Sequence, residues 1–144
     1  MKTRTQYAAL PYIMDAGRCR VLLITSRRSK RWIIPKGWPE ADLEPYELAA
    51  LEAYEEAGVK GHVREKSIGS FSYIKQSDIN GHVQYNVDVF PLQVDRQYLD
   101  WPEKHERQQR WLKVKKAVLL IDEHDLAELV RKFCSKRKKD ESRN

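Results

Sequence analysis

Three carboxylates, Glu52, Glu55 and Glu56, carry the strongest chemical signal in this chain. They stand at i, i+3 and i+4, so a helix through them projects all three from one face. Like charges at these spacings repel by about 0.2–0.5 kcal/mol per pair. No Lys or Arg lies between Leu43 and Val59 to relieve them, although the whole chain carries a net charge of +6. The compensating charge is therefore expected from outside the helix. Oxygen ligands gathered in this way suit a hard divalent cation, Mg2+ first, with Mn2+ as the alternative. Taken alone, three glutamates on a helix are more often a solvated face.

The positive charge is clustered too. Arg27-Arg28-Ser29-Lys30-Arg31, followed by Lys36, precedes the acidic stretch. A second basic run covers Arg107 to Lys116, and a third is Lys136-Arg137-Lys138-Lys139. A cationic patch beside a metal-binding carboxylate cluster points to a polyanionic, phosphorylated small molecule as substrate. The basic runs would also suit RNA, but no aromatic pattern typical of an RNA-binding sheet accompanies them. His62, His82, His105 and His124 lack metal-ligand spacing and read as structural or surface residues. Cys19 and Cys134 form no CxxC pattern and read as two separate core thiols.

The elements that must position these groups follow from patterning. Gln6 to Met14 and Arg20 to Thr25 read as strands around a turn at Asp15-Ala16-Gly17. Trp32-Ile33-Ile34 is a short apolar run stopped by Pro35, and Lys36 to Glu44 reads as a loop. Pro45 suits the first turn of a helix that runs to Ala57 and ends at Gly58. Its alanines and tyrosines are expected to pack on a sheet, opposite the carboxylates. Val63 to Lys75 and His82 to Val94 read as the arms of a hairpin through Asp78-Ile79-Asn80-Gly81. Asp95 to Gln108 is a charged loop, Arg110 to Val114 a short strand, and Lys115 to Leu120 a helical turn. Asp122 is the expected N-cap of a last helix through Phe133.

A chain of 144 residues is long enough for one domain with its own core. It reads as a single domain over 1–135 with a basic, frayed tail over 136–144. No apolar run approaches the ~18–20 residues that span a bilayer. The basic start of the chain leads into a strand rather than an apolar signal region. The expectation is a cytoplasmic protein with no membrane partner, either a monomer or a homodimer. Strands, a helix, a hairpin, another strand and a final helix give an α/β or mixed α+β sandwich.

Residues 37–59 resemble the Nudix box, Gly-x5-Glu-x7-Arg-Glu-U-x-Glu-Glu-x-Gly-U, where U is apolar. Gly37, Glu52, Glu55, Glu56, Gly58 and Val59 fall on their places, and the spacing is intact. With the two glycines in register, the solvated-face reading of the glutamates loses its ground. The resemblance implies an α/β/α sandwich with a mixed β-sheet and a MutT-like pyrophosphohydrolase activity dependent on Mg2+. It makes Glu52, Glu55 and Glu56 catalytic residues and metal ligands, joined in the metal shell by the backbone carbonyl of Gly37. Two positions depart from the box: Leu43 stands for its first glutamate and Leu51 for its arginine. An apolar contact between these leucines is expected to replace the lost polar tether.

Beyond the box, Thr25-Ser26-Arg27, Arg31 to Gly37, Glu55 to Gly61 and Arg107 to Leu112 are similar to diphosphoinositol polyphosphate phosphohydrolases. That likeness implies a highly phosphorylated substrate of the diphosphoinositol polyphosphate or dinucleoside polyphosphate type. It implies phosphate contacts from Ser26, Arg27 and Lys36, with Arg107 a further candidate. Competing readings are an RNA 5′-end or nucleotide-sugar pyrophosphohydrolase, and a non-catalytic module that binds a phosphorylated ligand through a weakened box.

Overall fold

The computed structural model describes residues 2–77, 79 and 81–142. Eight strands form one mixed sheet: β1 (Lys2–Asp15), β2 (Arg18–Thr25), β3 (Trp32–Ile33), β4 (Lys36–Gly37), β5 (Val59–Val63), β6 (Gly69–Ser77), β7 (Gly81–Gln97) and β8 (Gln109–Lys113). Helix α1 (Pro45–Ala57) covers one face, and α2 (Val114–Leu120) and α3 (His124–Ser142) cover the other. The class is α/β, in three layers.

The sheet is held at its centre by a pairing that patterning does not reveal. β1 runs parallel to β7 from Lys2↔Val83 to Tyr12↔Gln93, while the other strand pairs are antiparallel. β1 buries side chains on both faces. Ala8, Leu10 and Tyr12 join a cluster with Leu126, Val130 and Phe133 of α3. Tyr7 and Ala9 face the other way, with Ala49, Ala53 and Ala57 of α1. Alternation along a strand puts consecutive residues on opposite faces, so each apolar run serves both cores.

Several expectations are corrected. β1 begins at Lys2, four residues before the expected strand, because β7 supplies a partner there. Lys36–Gly37 is not loop but a two-residue strand paired to Tyr7 and Ala8. The expected arm Val63 to Lys75 is two strands, β5 and β6. They are separated where Ser67 Oγ accepts the Gly69 N–H at 3.1 Å and Gly69 takes φ 139°. The hairpin turn includes Asp78 and Asn80, which lie outside the described residues. The last helix passes Phe133 and continues to Ser142. Asp122 does not open it; the helix starts at His124, and Asp122 faces Arg31 at 3.7 Å.

Cys19 and Cys134 are not separate thiols. They are joined in a disulfide that ties the start of β2 to α3, with Cα atoms 5.6 Å apart. Sequence separation of 115 residues hid this closeness. No helix among the described residues is long and apolar enough to cross a membrane.

Candidate active site

Helix α1 is the platform of the site, and its ends explain its placement. Pro45 occupies the first turn, and the Glu44 N–H donates to Glu47 Oε1 at 2.9 Å. At the other end Gly58 adopts φ 68°, and its N–H reaches Tyr54 O at 2.9 Å. The indole of Trp101 lies where a Cβ at position 58 would stand, so glycine is required for close packing as well as for the turn.

The three carboxylates do not point into open water. Glu52 lies over Gly37, where any added Cβ would overlap its carboxylate. Gly37 is thus the space that admits Glu52. Glu56 is buried at 5% exposure, on the inner side of α1 rather than opposite its packing face as expected. Burial pushes its carboxyl up to about 9, and a hydrogen bond with Glu52 adds to the shift. Arg107 opposes this from 3.5 Å, but desolvation outweighs it. Glu55 is half-buried and also raised, first by burial and then by Glu52, Glu103 and Glu40.

Glu52 and Glu56 stand close enough to share a proton, which relieves a repulsion that a divalent ion would relieve better. Among the described residues no group of three or more His, Cys, Asp or Glu side chains stands ready to hold a metal. The donor set is all oxygen, which suits Mg2+ or Mn2+ over softer metals. Glu52 stands against Gly37 and is hydrogen-bonded to Glu56; Glu55 is one turn from Glu52 on the same helix.

A groove of about 810 Å³ gathers the cations. Ser26, Arg27, Lys36 and Arg107 all line it, together with Arg28, Arg31 and Lys75. Ser26 Oγ accepts the Arg31 N–H at 3.0 Å and lies 2.6 Å from Ser29 Oγ, so it closes the turn that displays the arginines. Arg27 is exposed and contacts Glu106 at 3.3 Å. Lys36 is half-buried, and burial lowers its pKa against the pull of Glu56 and Glu123. Its ammonium stands 5.5 Å from the Tyr73 ring centre. Lys75 was missed by sequence reasoning, because the β6–β7 hairpin is brought to Lys36 by the pairing of β1 with both β7 and β4, which patterning does not reveal.

Arg107 differs from its neighbours. Its side chain is 9% exposed and already engaged by Glu103, Thr25 O and Glu56. Leu51 is exposed and Leu43 half-buried, and neither belongs to an apolar cluster of the described residues.

An aromatic row borders the groove. Trp38, 47% exposed, stands 5.5 Å from Tyr85, and Tyr85 stacks on Tyr73 at 5.0 Å. Arg4 lies 5.9 Å over the Trp38 ring.

No family model matches the chain. Curated relatives do. Nudix hydrolase 12, mitochondrial, of Arabidopsis thaliana is 37% identical over 109 residues, covering 72% of this chain and 52% of the relative. Nudix hydrolase 21, chloroplastic, of the same plant is 33% identical over 122 residues, covering 84% and 60%. Diphosphoinositol polyphosphate phosphohydrolase 3-alpha of Mus musculus is 36% identical over 107 residues, covering 72% and 61%. The chain spans about half to three fifths of the length of these relatives. Among solved structures, a C. elegans Ap4A hydrolase superposes with TM-score 0.67 at 19% identity, covering 92% of this chain and 97% of that one. A MutT protein from Methanosarcina mazei Go1 gives TM-score 0.67 at 19% identity, covering 95% and 96%. At such identities the structural likeness speaks for the fold.

Proposed function

The chain belongs to the Nudix hydrolase family, and from that premise we propose that it is a Mg2+-dependent pyrophosphohydrolase acting on a highly phosphorylated small molecule. The observation that carries the proposal is the junction of two charge fields. The acidic face of α1 and the cationic groove meet at Lys36 and Arg107, both beside Glu56.

In this reading the substrate's phosphates lie in the groove. Arg27 supplies an exposed guanidinium suited to bidentate phosphate binding. Lys36 supplies a partly desolvated ammonium, whose attraction for an anion is strengthened by burial. Glu52, Glu55, Glu56 and the Gly37 carbonyl would hold the metal, either Mg2+ or Mn2+. The ion, when bound, supplies charge neutralisation to the phosphate oxygens and lowers the pKa of a ligated water. One of the three carboxylates takes the proton of the attacking water. Burial of Glu56 and the closeness of Glu52 hold these groups in place before substrate arrives. The domain responsible covers 1–135, and its expected compartment is the cytoplasm.

Between the two substrate types, the aromatic row favours a dinucleoside polyphosphate. A nucleobase can stack on the exposed Trp38 ring while its phosphates reach the groove through Lys36 and Tyr73. An inositol ring has no π-face to use there. The test is turnover with Mg2+ over diadenosine polyphosphates, a diphosphoinositol polyphosphate, ADP-ribose, nucleoside triphosphates and 5′-triphosphate RNA. Cleavage of one class, abolished in Glu56→Gln, supports the proposal. Cleavage that persists in Glu56→Gln rejects the site.

A further inference from the structure

We infer that Arg107 is a positioning residue, clasped by Glu103, which sets the Glu56 carboxylate in place of any cation on its own helix. The inference rests on the proposed pyrophosphohydrolase site and removes Arg107 from the set of phosphate ligands. Glu56 is buried, and α1 has no basic residue to offer it. The guanidinium that reaches it comes from 51 positions further along the chain.

Three nitrogens of Arg107 are directed at three different residues. Nε donates to Glu103 Oε1 at 3.0 Å, Nη1 to Thr25 O at 3.1 Å, and Nη2 faces Glu56 Oε1 at 3.5 Å. Three of the guanidinium's five N–H groups are thereby directed at protein oxygens, and its side chain is 9% exposed, which limits its grip on a phosphate. The backbone around it is pinned as well. Glu103 N–H donates to Glu55 O at 3.0 Å, and Tyr98 N–H donates to Gly58 O at 2.9 Å. Gln108 N–H reaches Thr25 Oγ1 at 2.9 Å, and Thr25 N–H reaches Gln108 O at 3.1 Å. The segment between β7 and β8 therefore binds the C-terminal turn of α1 to the end of β2, and Arg107 is its central fastener. Removing one partner from so buried a set leaves polar groups unpaired and releases Glu56 from its geometry.

The test is a double-mutant cycle of Arg107→Ala and Glu103→Gln, read by thermal melting of the metal-free protein and by steady-state kinetics. Arg107→Ala is expected to lower kcat by about tenfold or more with KM changed less than about threefold, as misplacement of a catalytic group does. Its melting temperature falls, and Glu103→Gln adds little to that fall because both changes open one clasp. Arg107→Lys keeps the charge and the fold but recovers only part of kcat, since one ammonium cannot span three partners. A rise in KM with kcat and melting temperature unchanged would make Arg107 a substrate ligand and overturn the inference. So would additive effects in the melting cycle. Should the unaltered protein turn over none of the substrates, the pyrophosphohydrolase reading fails separately, and the melting cycle still decides the clasp.

Discussion

The acidic face and the cationic groove are opposite in charge and opposite in origin. Glu52, Glu55 and Glu56 come from one turn of one helix, so a local spacing rule places them. Arg27, Lys36, Lys75 and Arg107 come from a turn, a two-residue strand, β6 and the segment before β8. They meet only because β1 pairs with both β4 and β7, and because Thr25 is bonded to residues 107 and 108. A metal site needs fixed, short distances, which a helix gives cheaply. A polyanion site needs charge spread over a wide surface, which only tertiary structure gives.

Removing the acidic side should have the largest effect. Glu56→Gln is expected to lower turnover by about 10²–10⁴-fold, in line with the loss of a catalytic carboxylate. A fall of less than threefold or so would detach the acidic face from the chemistry. On the cationic side, Lys36→Ala is expected to raise KM by about 10–100-fold, the range of a charged hydrogen bond of about 1.5–3 kcal/mol. Initial-rate kinetics separate that from a kcat effect, which would assign Lys36 to the acidic side instead.

Smaller effects sharpen the contrast. Trp38→Ala should weaken a dinucleoside polyphosphate by about 1 kcal/mol, the low end of a base-stacking contact at a half-exposed ring. It should leave a diphosphoinositol polyphosphate unchanged, and equal losses on both would remove the stacking role. The metal-free fold should also respond to pH. The raised pKa of Glu56 means the folded chain keeps a proton that the unfolded chain releases. Its contribution to stability is complete below the ordinary value of 4.5 and is lost as pH rises towards about 9. Melting temperatures across that window should fall in the unaltered protein and fall less in Glu56→Gln. A flat profile in both would mean that Glu56 is ionised in the fold.

Much of the α1 side was legible in the sequence. The helix from Pro45 to Ala57, its glycine stop and the register of the carboxylates follow from local rules, and the structure has that helix. The roles of the carboxylates rest on the resemblance and on the proposal made here. Less legible was which way they face: Glu56 turns inward because Gly37 leaves room for Glu52 and a distant arginine reaches in. The basic runs were visible as composition, and Ser26, Arg27, Lys36 and Arg107 do share one groove. Their different states were not visible, since burial of Arg107 depends on contacts with Thr25 and Glu103. The parallel β1–β7 pair and the Cys19–Cys134 bridge were illegible for the same reason, as both join residues far apart in the chain.

The central claim is that the two charge fields form one site, and thermodynamic linkage tests it most directly. Calorimetry would give the affinity of a non-hydrolysable diadenosine polyphosphate with and without Mg2+, in the unaltered protein and in Glu56→Gln. One shared site requires Mg2+ to tighten the ligand by about fivefold or more, and that gain to vanish in Glu56→Gln. Equal affinity with and without Mg2+ in the unaltered protein would contradict the account, leaving a cationic groove that binds phosphates on its own.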